Sequence, residues 1–234
     1  MFGPKNIIKG NFTNFANFGE NRKINCIVHD TPDGRFYEVS PEVYYPSITT
    51  ILKNEEKLAG WKEFVGEIEA ERVRNTAAAK GNQLHDLAER YFKNEDIDLS
   101  KEVYSVRSSF RNAMNTLNKI DDIILQENIL YSNELKIAGR TDIVGKYDGI
   151  LSVIDFKGSN KRKSKNDILN YFIQATAYAK MCKELYDIKV DQIVIIMFVE
   201  GVPDPLVFIE NPENYMDQLL KEIENYKGKY QNDK

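Results

Sequence analysis

Cysteine, histidine and tryptophan are scarce in this chain of 234 residues, which has two cysteines, two histidines and one tryptophan. Cys26 and Cys182 lie far apart and form no Cys-x-x-Cys pair, so we expect neither a disulfide framework nor a structural zinc site. Two cysteines also cannot supply the four thiolates of an iron–sulfur cluster. We expect both residues to be small core side chains in a reducing compartment.

Long apolar runs and an excess of positive charge are also missing. No run reaches the length of a membrane span, and the first five residues contain neither a signal-peptide core nor an Arg-rich presequence, so we expect a cytoplasmic protein. The formal net charge of −4 excludes wholesale coating of nucleic acid but allows a local basic groove. With 42% hydrophobic residues, the chain can bury one sizeable core, which favours one domain over two.

The strongest local signal in the chain is a hairpin. Two β-rich runs flank Asp148-Gly149, a residue pair typical of tight hairpin turns. With that turn, residues whose numbers add up to 297 face each other, so Asp142 faces Asp155. Facing residues of an antiparallel pair have Cβ atoms about 4.5–5.5 Å apart. Lys157 lies two residues beyond Asp155 and therefore projects from the same face of the strand.

Two carboxylates and one ammonium group thus share one patch of the predicted hairpin. Facing carboxylates repel each other, and a divalent cation with oxygen ligands is the simplest reason to hold them together. A metal ion beside a lysine suits phosphodiester hydrolysis, because the metal lowers the pKa of bound water and the lysine orients that water or stabilises developing charge. The alternative is a surface hairpin whose acids face solvent, and the agreement of turn, register and Lys157 argues against it.

Several short motifs, taken in order, resemble the RecB-type branch of the PD-(D/E)XK nucleases. In chain order they are Pro46-Ser47-Ile48-Thr49, Gly81-x-x-x-His85, Glu127, Asp142, Asp155-Phe156-Lys157 and Gln174-x-x-x-Tyr178. Within that branch, the set is similar to the family of the mitochondrial genome maintenance exonuclease and its phage and bacterial relatives. The resemblance runs from about Tyr45 to the C-terminus, and it implies a protein of a bacterial or phage-infected cell.

Hydrophobic periodicity predicts an α/β fold, because helices are followed by three antiparallel strands, a helix and a further strand. The resemblance implies the same architecture: a restriction-endonuclease-like core with a central mixed β-sheet flanked by helices, and a helical, arch-like N-terminal half. We expect one nuclease domain over 1–234, with an N-terminal arm and strand pair (1–44), a helical region (45–120) and a catalytic core (121–234). Predicted strands are 23–29, 35–40, 123–131, 134–147, 150–157, 192–200 and 206–210, and predicted helices are 49–92 with breaks near Gly60 and before Gly81, 101–120, 166–184 and 212–230.

The resemblance also implies a role for each matched residue. The implied catalytic residues are Asp142, Asp155, Lys157, Gln174 and His85, and the implied ligands of one or two Mg²⁺ or Mn²⁺ ions are Asp142, Asp155, His85 and the carbonyl of Phe156. Lys157 would activate or position the attacking water. Gln174 would bond the scissile phosphate or hold Lys157.

Nucleic-acid contacts are expected from the basic loop Lys157–Lys165 and from motif residues. The loop leaves the strand of Lys157 directly, which places its cations near substrate phosphates, although charge runs are usually solvated loops. The expected contacts are Tyr178, on which bases would stack, Ser159, Lys161, Arg162, Lys163, Ser47 and Glu127. Glu127 matches the family glutamate but could equally be an exposed strand residue.

These observations favour a metal-dependent DNA exonuclease that prefers single-stranded DNA with a free end, acting in replication, repair or recombination. The charged stretch from Glu55 to Lys80 is expected to form an arch through which the strand threads. One alternative is an endonuclease, or a double-strand-specific recombination exonuclease, on the same core. Another is a catalytically silent DNA-binding protein, against which the complete set of Asp142, Asp155 and Lys157 argues. No membrane partner is expected.

Overall fold

A computed structural model of the chain describes residues 7–14, 24–53, 60, 63–64 and 66–231. The strands in these ranges are β1 (Ile7–Ile8), β2 (Ile27–Thr31), β3 (Gly34–Ser40), β4 (Val43–Pro46), β5 (Ile97–Asp98), β6 (Ile120–Ser132), β7 (Ile137–Tyr147), β8 (Ile150–Ser159), β9 (Gln192–Val199) and β10 (Leu206–Glu210). The α-helices are α1 (Ile48–Ile51), α2 (Glu67–Phe92), α3 (Tyr104–Leu117), α4 (Leu169–Tyr186) and α5 (Met216–Gln231). Short 3₁₀ turns cover Leu99–Lys101, Lys165–Ile168 and Pro212–Tyr215.

Five strands form the central sheet, in the order β10-β9-β8-β7-β6. Strands β8 and β9 run parallel and the other neighbours are antiparallel, so the sheet is mixed. Helices α4 and α5 pack on one face, and α2 and α3 pack on the other. Both faces at the centre are therefore covered, which explains why β9 is an almost continuous apolar run. The predicted α/β fold, with a central mixed sheet between helices, is confirmed.

Helix α2 runs without interruption through Gly81, so the predicted break before that residue is wrong. One glycine weakens a helix by only about 1 kcal/mol. Beyond Gly81, the helix buries Leu84, Leu87, Ala88 and Tyr91 against the sheet, which outweighs that loss. The predicted break near Gly60 falls among residues 54–59 and 61–62, which lie outside the described ranges. None of the helices described combines the length and the hydrophobicity that a membrane span requires.

The predicted strand pair near the N-terminus is present and continues into a third, unpredicted strand. Strands β2, β3 and β4 form a small antiparallel sheet in which Thr31 pairs with Gly34 across the turn between β2 and β3. Of the predicted N-terminal arm, residues 1–6 and 15–23 lie outside the described ranges. The described part includes β1, which pairs with β5.

The start of α4 is stabilised by a short turn that lies directly before it. A 3₁₀ turn precedes the helix, and Ser164 closes that turn in a capping box with Asp167. In this box the Asp167 carboxylate accepts hydrogen bonds from the backbone N–H and the hydroxyl of Ser164, at 2.8 and 2.7 Å. Asp167 therefore stabilises this turn as its third residue, and Ser164 is the N-cap.

Candidate active site

The hairpin of β7 and β8 has the predicted register. Tyr147 pairs with Ile150, and the ladder continues to Ile143 and Ile154, so each pair of residue numbers adds up to 297. Asp148 and Gly149 both have positive φ, 48° and 84°, as a two-residue turn of the type favoured by right-twisted strands requires.

Beyond Ile143 and Ile154, the two strands of the hairpin no longer pair. At this opening, the backbone N–H of Phe156 donates to Asp142 Oδ2 at 2.7 Å instead of to a strand carbonyl. The Asp142 side chain thus takes the place of a backbone acceptor. This hydrogen bond turns the Asp142 side chain into the gap between the strands, beside Asp155.

On the α4 side of the opening, Asp155 is 1% exposed and is held from two directions. The Lys157 ammonium lies 2.5 Å from Asp155 Oδ2, and Gln174 Nε2 donates to Asp155 Oδ1 at 3.3 Å. Gln174 Nε2 also donates to the Tyr178 hydroxyl at 3.0 Å. Asp155 Oδ2 is fully buried, and the Lys157 ammonium is its close partner among the described residues. The burial of this carboxylate is thus compensated by a charged group.

On the α2 side, His85 reaches across to the same opening. Its Nε2–H donates to the carbonyl oxygen of Phe156 at 2.8 Å, and its Nδ1 lies 3.7 Å from Asp142 Oδ2. A ring N–H that donates to a backbone carbonyl fixes the tautomer and leaves the other nitrogen free as a metal ligand. Potential ligand atoms of His85, Glu127 and Asp142 all lie within 4.8 Å of one another.

Glu127 on β6 lies across from Asp142 on β7. The ladder pairs Gln126 with Ile143 and Asn128 with Thr141, so the register places Glu127 opposite Asp142, although these two residues are not themselves paired. Glu127 has φ 51°, which is rare for a residue other than glycine. Strained backbone of this kind is concentrated at functional sites.

Two acids of the opening, Asp142 and Glu127, retain their protons unusually well. Burial, together with the neighbouring Asp155, raises the pKa of Asp142 to about 6, and burial with the nearby Asp142 raises the pKa of Glu127 to about 7. Burial alone would lower the pKa of Lys157, but Asp155 and Asp142 outweigh it and raise that pKa above its usual value. Carboxylate oxygens and one imidazole nitrogen that share a buried, negatively charged opening fit a divalent cation such as Mg²⁺ or Mn²⁺.

Stability without metal should therefore fall as the pH rises from about 4 to about 7. The folded-state pKa values of Asp142 and Glu127 lie above their usual 3.8 and 4.5, so folding favours the protonated acids, and this contribution is lost as they ionise. A shift of two pKa units corresponds to about 3 kcal/mol, or roughly 6–12 °C in Tm for a chain of this size. Thermal unfolding in EDTA at pH 5 and pH 8 measures the loss, and Mg²⁺ or Mn²⁺ should restore the Tm at pH 8.

The matched control for this prediction is the double variant Asp142→Asn with Glu127→Gln, whose Tm should be flatter with pH and insensitive to the metal. Other ionisable groups affect both proteins alike, so the difference between them isolates the site. Equal pH profiles for the wild type and the double variant would contradict the prediction.

Two of the predicted nucleic-acid contacts are wrong because their side chains are buried. Tyr178 is 2% exposed and packs in the core beneath Gly139, so no base can stack on it. Ser47 is also 2% exposed, and its hydroxyl caps α1 by accepting the Thr50 N–H at 3.0 Å. Both residues support the fold around the opening instead of contacting a ligand.

The structure gathers the other motif residues, namely His85, Glu127, Asp142, Asp155, Phe156, Lys157 and Gln174, around the opening. The basic loop begins at Lys157, the last of these residues on β8, and its side chains Lys161 and Arg162 are exposed. Ser159 is engaged within this loop, where its hydroxyl donates to the Lys161 carbonyl at 2.7 Å.

Tyr171 is a residue of this region to which the sequence analysis assigned no role. The Lys157 ammonium lies 5.2 Å from the centre of its ring, and Lys163 Nζ donates to its hydroxyl at 3.3 Å. Tyr171 therefore links the basic loop to Lys157. Its position three residues before Gln174, on the same side of α4, is the signal that could have identified it.

Comparison with known families agrees with this geometry. The family model described as the PD-(D/E)XK nuclease superfamily matches residues 53–232, which is most of the chain and includes every residue around the opening. A comparison with curated proteins gave no match. Nucleases of this superfamily use divalent metal ions, in keeping with the buried acids and imidazole found here. This chain, with the acids and the lysine at its strand opening, therefore belongs to the PD-(D/E)XK nuclease superfamily of metal-dependent nucleases acting on DNA.

Proposed function

We propose that this chain is a metal-dependent DNA exonuclease of the RecB-type branch, similar to the mitochondrial genome maintenance exonuclease family, and that it prefers single-stranded DNA with a free end. The observation that best supports the proposal is the meeting of His85 from α2 and Gln174 from α4 at one opening of the hairpin. This histidine and this glutamine are what the branch adds to the superfamily's core residues. The whole of 1–234 then functions as one nuclease domain.

In this proposal, Asp142, Asp155 and His85 hold Mg²⁺ or Mn²⁺, and Glu127 and the carbonyl of Phe156 complete the donor set. The bound ion would polarise the scissile phosphate and lower the pKa of the attacking water. The Asp142 side chain already accepts the Phe156 N–H, which orients one of its oxygens before any ligand arrives. His85 is oriented in the same way by the Phe156 carbonyl.

Lys157 acts as an ammonium ion in this scheme. In the metal-free protein, the neighbouring carboxylates raise its pKa, so the side chain is an ammonium ion at neutral pH. An ammonium ion at this position would donate hydrogen bonds that position the attacking water and stabilise negative charge on the phosphate. The Tyr171 ring restricts where this ammonium can lie.

Gln174 is a positioning residue in this scheme. Its amide nitrogen bridges Asp155 Oδ1 and the Tyr178 hydroxyl, so the amide group is engaged inside the protein. Tyr178, a residue of α4, is buried against Gly139 of β7, so this bridge links the Asp155 carboxylate to the core. Gln174 thereby limits the rotation of a side chain proposed to hold the metal.

Single-stranded substrate is supported by the surroundings of the site. The exposed cations Lys161 and Arg162 begin the path of a strand, and Lys163 is held next to Lys157 by Tyr171. The first half of α2 is largely exposed, so its charged side chains are accessible to a strand that passes beside it. Residues 55–59, 61–62 and 65 of the proposed arch lie outside the described ranges.

The test of this proposal is the form of DNA that is degraded. With Mg²⁺ or Mn²⁺, end-labelled linear single strands and flaps should be shortened, whereas covalently closed single-stranded circles should persist, because threading needs a free end. Linear duplex should resist, since it is wider than a single strand and stiff over a persistence length of about 50 nm. Electrophoresis of the labelled products over time distinguishes these results.

Each contrary result in that test supports a specific alternative. Rapid cutting of the circle would establish an endonuclease, and rapid digestion of duplex ends would establish a double-strand exonuclease. Binding without any cleavage would establish a silent DNA-binding protein. The Asp142→Asn variant, purified in the same way, shows whether a contaminating nuclease is responsible for any activity.

A further inference from the structure

A cavity of about 190 Å³ lies next to the proposed active site, between α2, α3 and the ends of β8 and β9. Its floor is apolar and includes the buried side chains of Leu84 and Phe198. Its rim is polar, with Ser109 on one wall and Asn160 on another. An apolar pocket with a few polar groups at its edge is the usual form of a small-ligand site.

Gly81 lines this cavity, and none of the contacts among the described residues requires a glycine there. It lies in the interior of α2, where glycine is the least favourable residue after proline. A Cβ built on Gly81 would meet no heavy atom of the described residues within 4 Å, so it would be free of clashes with them. The space that such a side chain would fill is therefore available to a ligand.

Two residues that line the cavity are direct sequence neighbours of proposed catalytic residues. On β8, Gly158 lines the cavity and directly follows Lys157. On α2, Leu84 lines it and directly precedes His85. A Cβ on Gly158 would lie 3.7 Å from the Cα of Gly81, so helix and strand meet where the cavity begins.

We propose that this cavity binds one nucleobase of the substrate strand, adjacent to the phosphate at the proposed active site; the inference rests on the proposed nuclease function. Its volume equals that of about six waters, which suits one nucleobase and is too small for a base pair. The apolar floor suits the face of a base, and the Asn160 amide and the Ser109 hydroxyl suit its polar edge. Only a base that is free of pairing can enter, which gives the site a preference for single strands.

Filling the cavity from Gly81 tests this inference, and the chain offers a matched control. Gly228 lies inside α5, and a Cβ built on it also meets nothing within 4 Å. We expect both Gly81→Leu and Gly228→Leu to keep or raise the thermal stability. Only Gly81→Leu should weaken the binding of a fluorescent single-stranded oligonucleotide, by at least tenfold, as measured by anisotropy in EDTA so that no cleavage occurs.

An oligonucleotide of abasic nucleotides identifies the occupant. The wild type should bind it at least tenfold more weakly than a normal strand of the same length, whereas Gly81→Leu should bind both strands equally weakly. Wild-type affinity in Gly81→Leu overturns the inference, and so does a penalty for abasic DNA that persists in the variant. A loss of binding in Gly81→Leu with no abasic effect in the wild type also overturns it, because the cavity then holds something other than a base.

A substitute variant and two further outcomes complete this test. If Gly81→Leu does not fold, Gly81→Ala replaces it, with Gly228→Ala as its control and at least a threefold loss of affinity expected. A wild type that cleaves single strands while the Gly81 variants bind normally overturns this inference alone. A wild type that neither cleaves nor binds DNA overturns the proposed function and this inference together.

Discussion

Replacing Asp142 with asparagine will abolish cleavage and leave the metal-free protein at least as stable as the wild type. Activity should fall by at least about 10³-fold, because the loss of a metal-binding carboxylate removes several kcal/mol of charge stabilisation. Stability should not fall, since burial and Asp155 already raise the pKa of Asp142 to about 6, so its charge is unfavourable at pH 8. An asparagine side-chain oxygen can still accept the Phe156 N–H. Initial rates on an end-labelled single strand and thermal unfolding in EDTA measure both effects.

Asp155→Asn should be equally inactive, but its stability should differ from that of Asp142→Asn. Asp155 carries the ion pair with Lys157 and the hydrogen bond from Gln174, so its replacement leaves a largely buried ammonium without its partner. Breaking a buried pair from one side costs about 3–5 kcal/mol. The contrast between two neighbouring aspartates is therefore part of the prediction.

The matched control for both aspartates is Asp148→Asn in the turn of the same hairpin. Asp148 forms an exposed ion pair with Lys119 and is remote from the strand opening. It should retain full activity and lose little stability, because exposed pairs contribute about 0–1 kcal/mol. Wild-type Mg²⁺-dependent cleavage by Asp142→Asn would refute the assignment of the metal site.

Lys157→Ala will lose most of its turnover while it continues to bind Mn²⁺. The lysine is proposed to act on the water and the phosphate, and a positioned donor of this kind contributes about 10²–10³-fold to the rate. Metal affinity should persist or increase, because the change removes a positive charge 2.5 Å from Asp155 Oδ2. Single-turnover kinetics measures the first effect, and calorimetric titration with Mn²⁺ measures the second.

The control for Lys157 is Lys146→Ala on β7, which removes an exposed ion pair with Asp122 of 2.7 Å. It should leave both turnover and Mn²⁺ affinity unchanged. The metal-free Lys157→Ala protein should also be less stable at neutral pH, since Asp155 and Asp142 lose their compensating cation. Lost Mn²⁺ affinity combined with fast residual turnover would reverse the roles assigned to Lys157 and the aspartates.

The sequence by itself determined the hairpin, and with it the register of its two strands. This was possible because a two-residue turn and an alternating pattern are local: Asp148-Gly149 sets which residues face each other, and every pair from Tyr147 to Ile143 follows. The mixed sheet was equally accessible, since its strands either alternate in hydrophobicity or, like β9, form a short continuous apolar run. The membership of the superfamily followed from motifs on these elements. The RecB-type assignment, the single domain and the roles of the site residues remain predictions.

Only the tertiary structure decided how the side chains meet at the strand opening. The donation from His85 to the Phe156 carbonyl and the approach of His85 to Glu127 and Asp142 join segments that are distant in the sequence. The same holds for the burial of Tyr178, whose place in a motif suggested a surface role. Periodicity tells which face of a helix is apolar, but which of its residues are covered depends on the elements that pack against it. That packing is a property of the whole fold, because the free energy of burial is shared among residues that no local pattern connects.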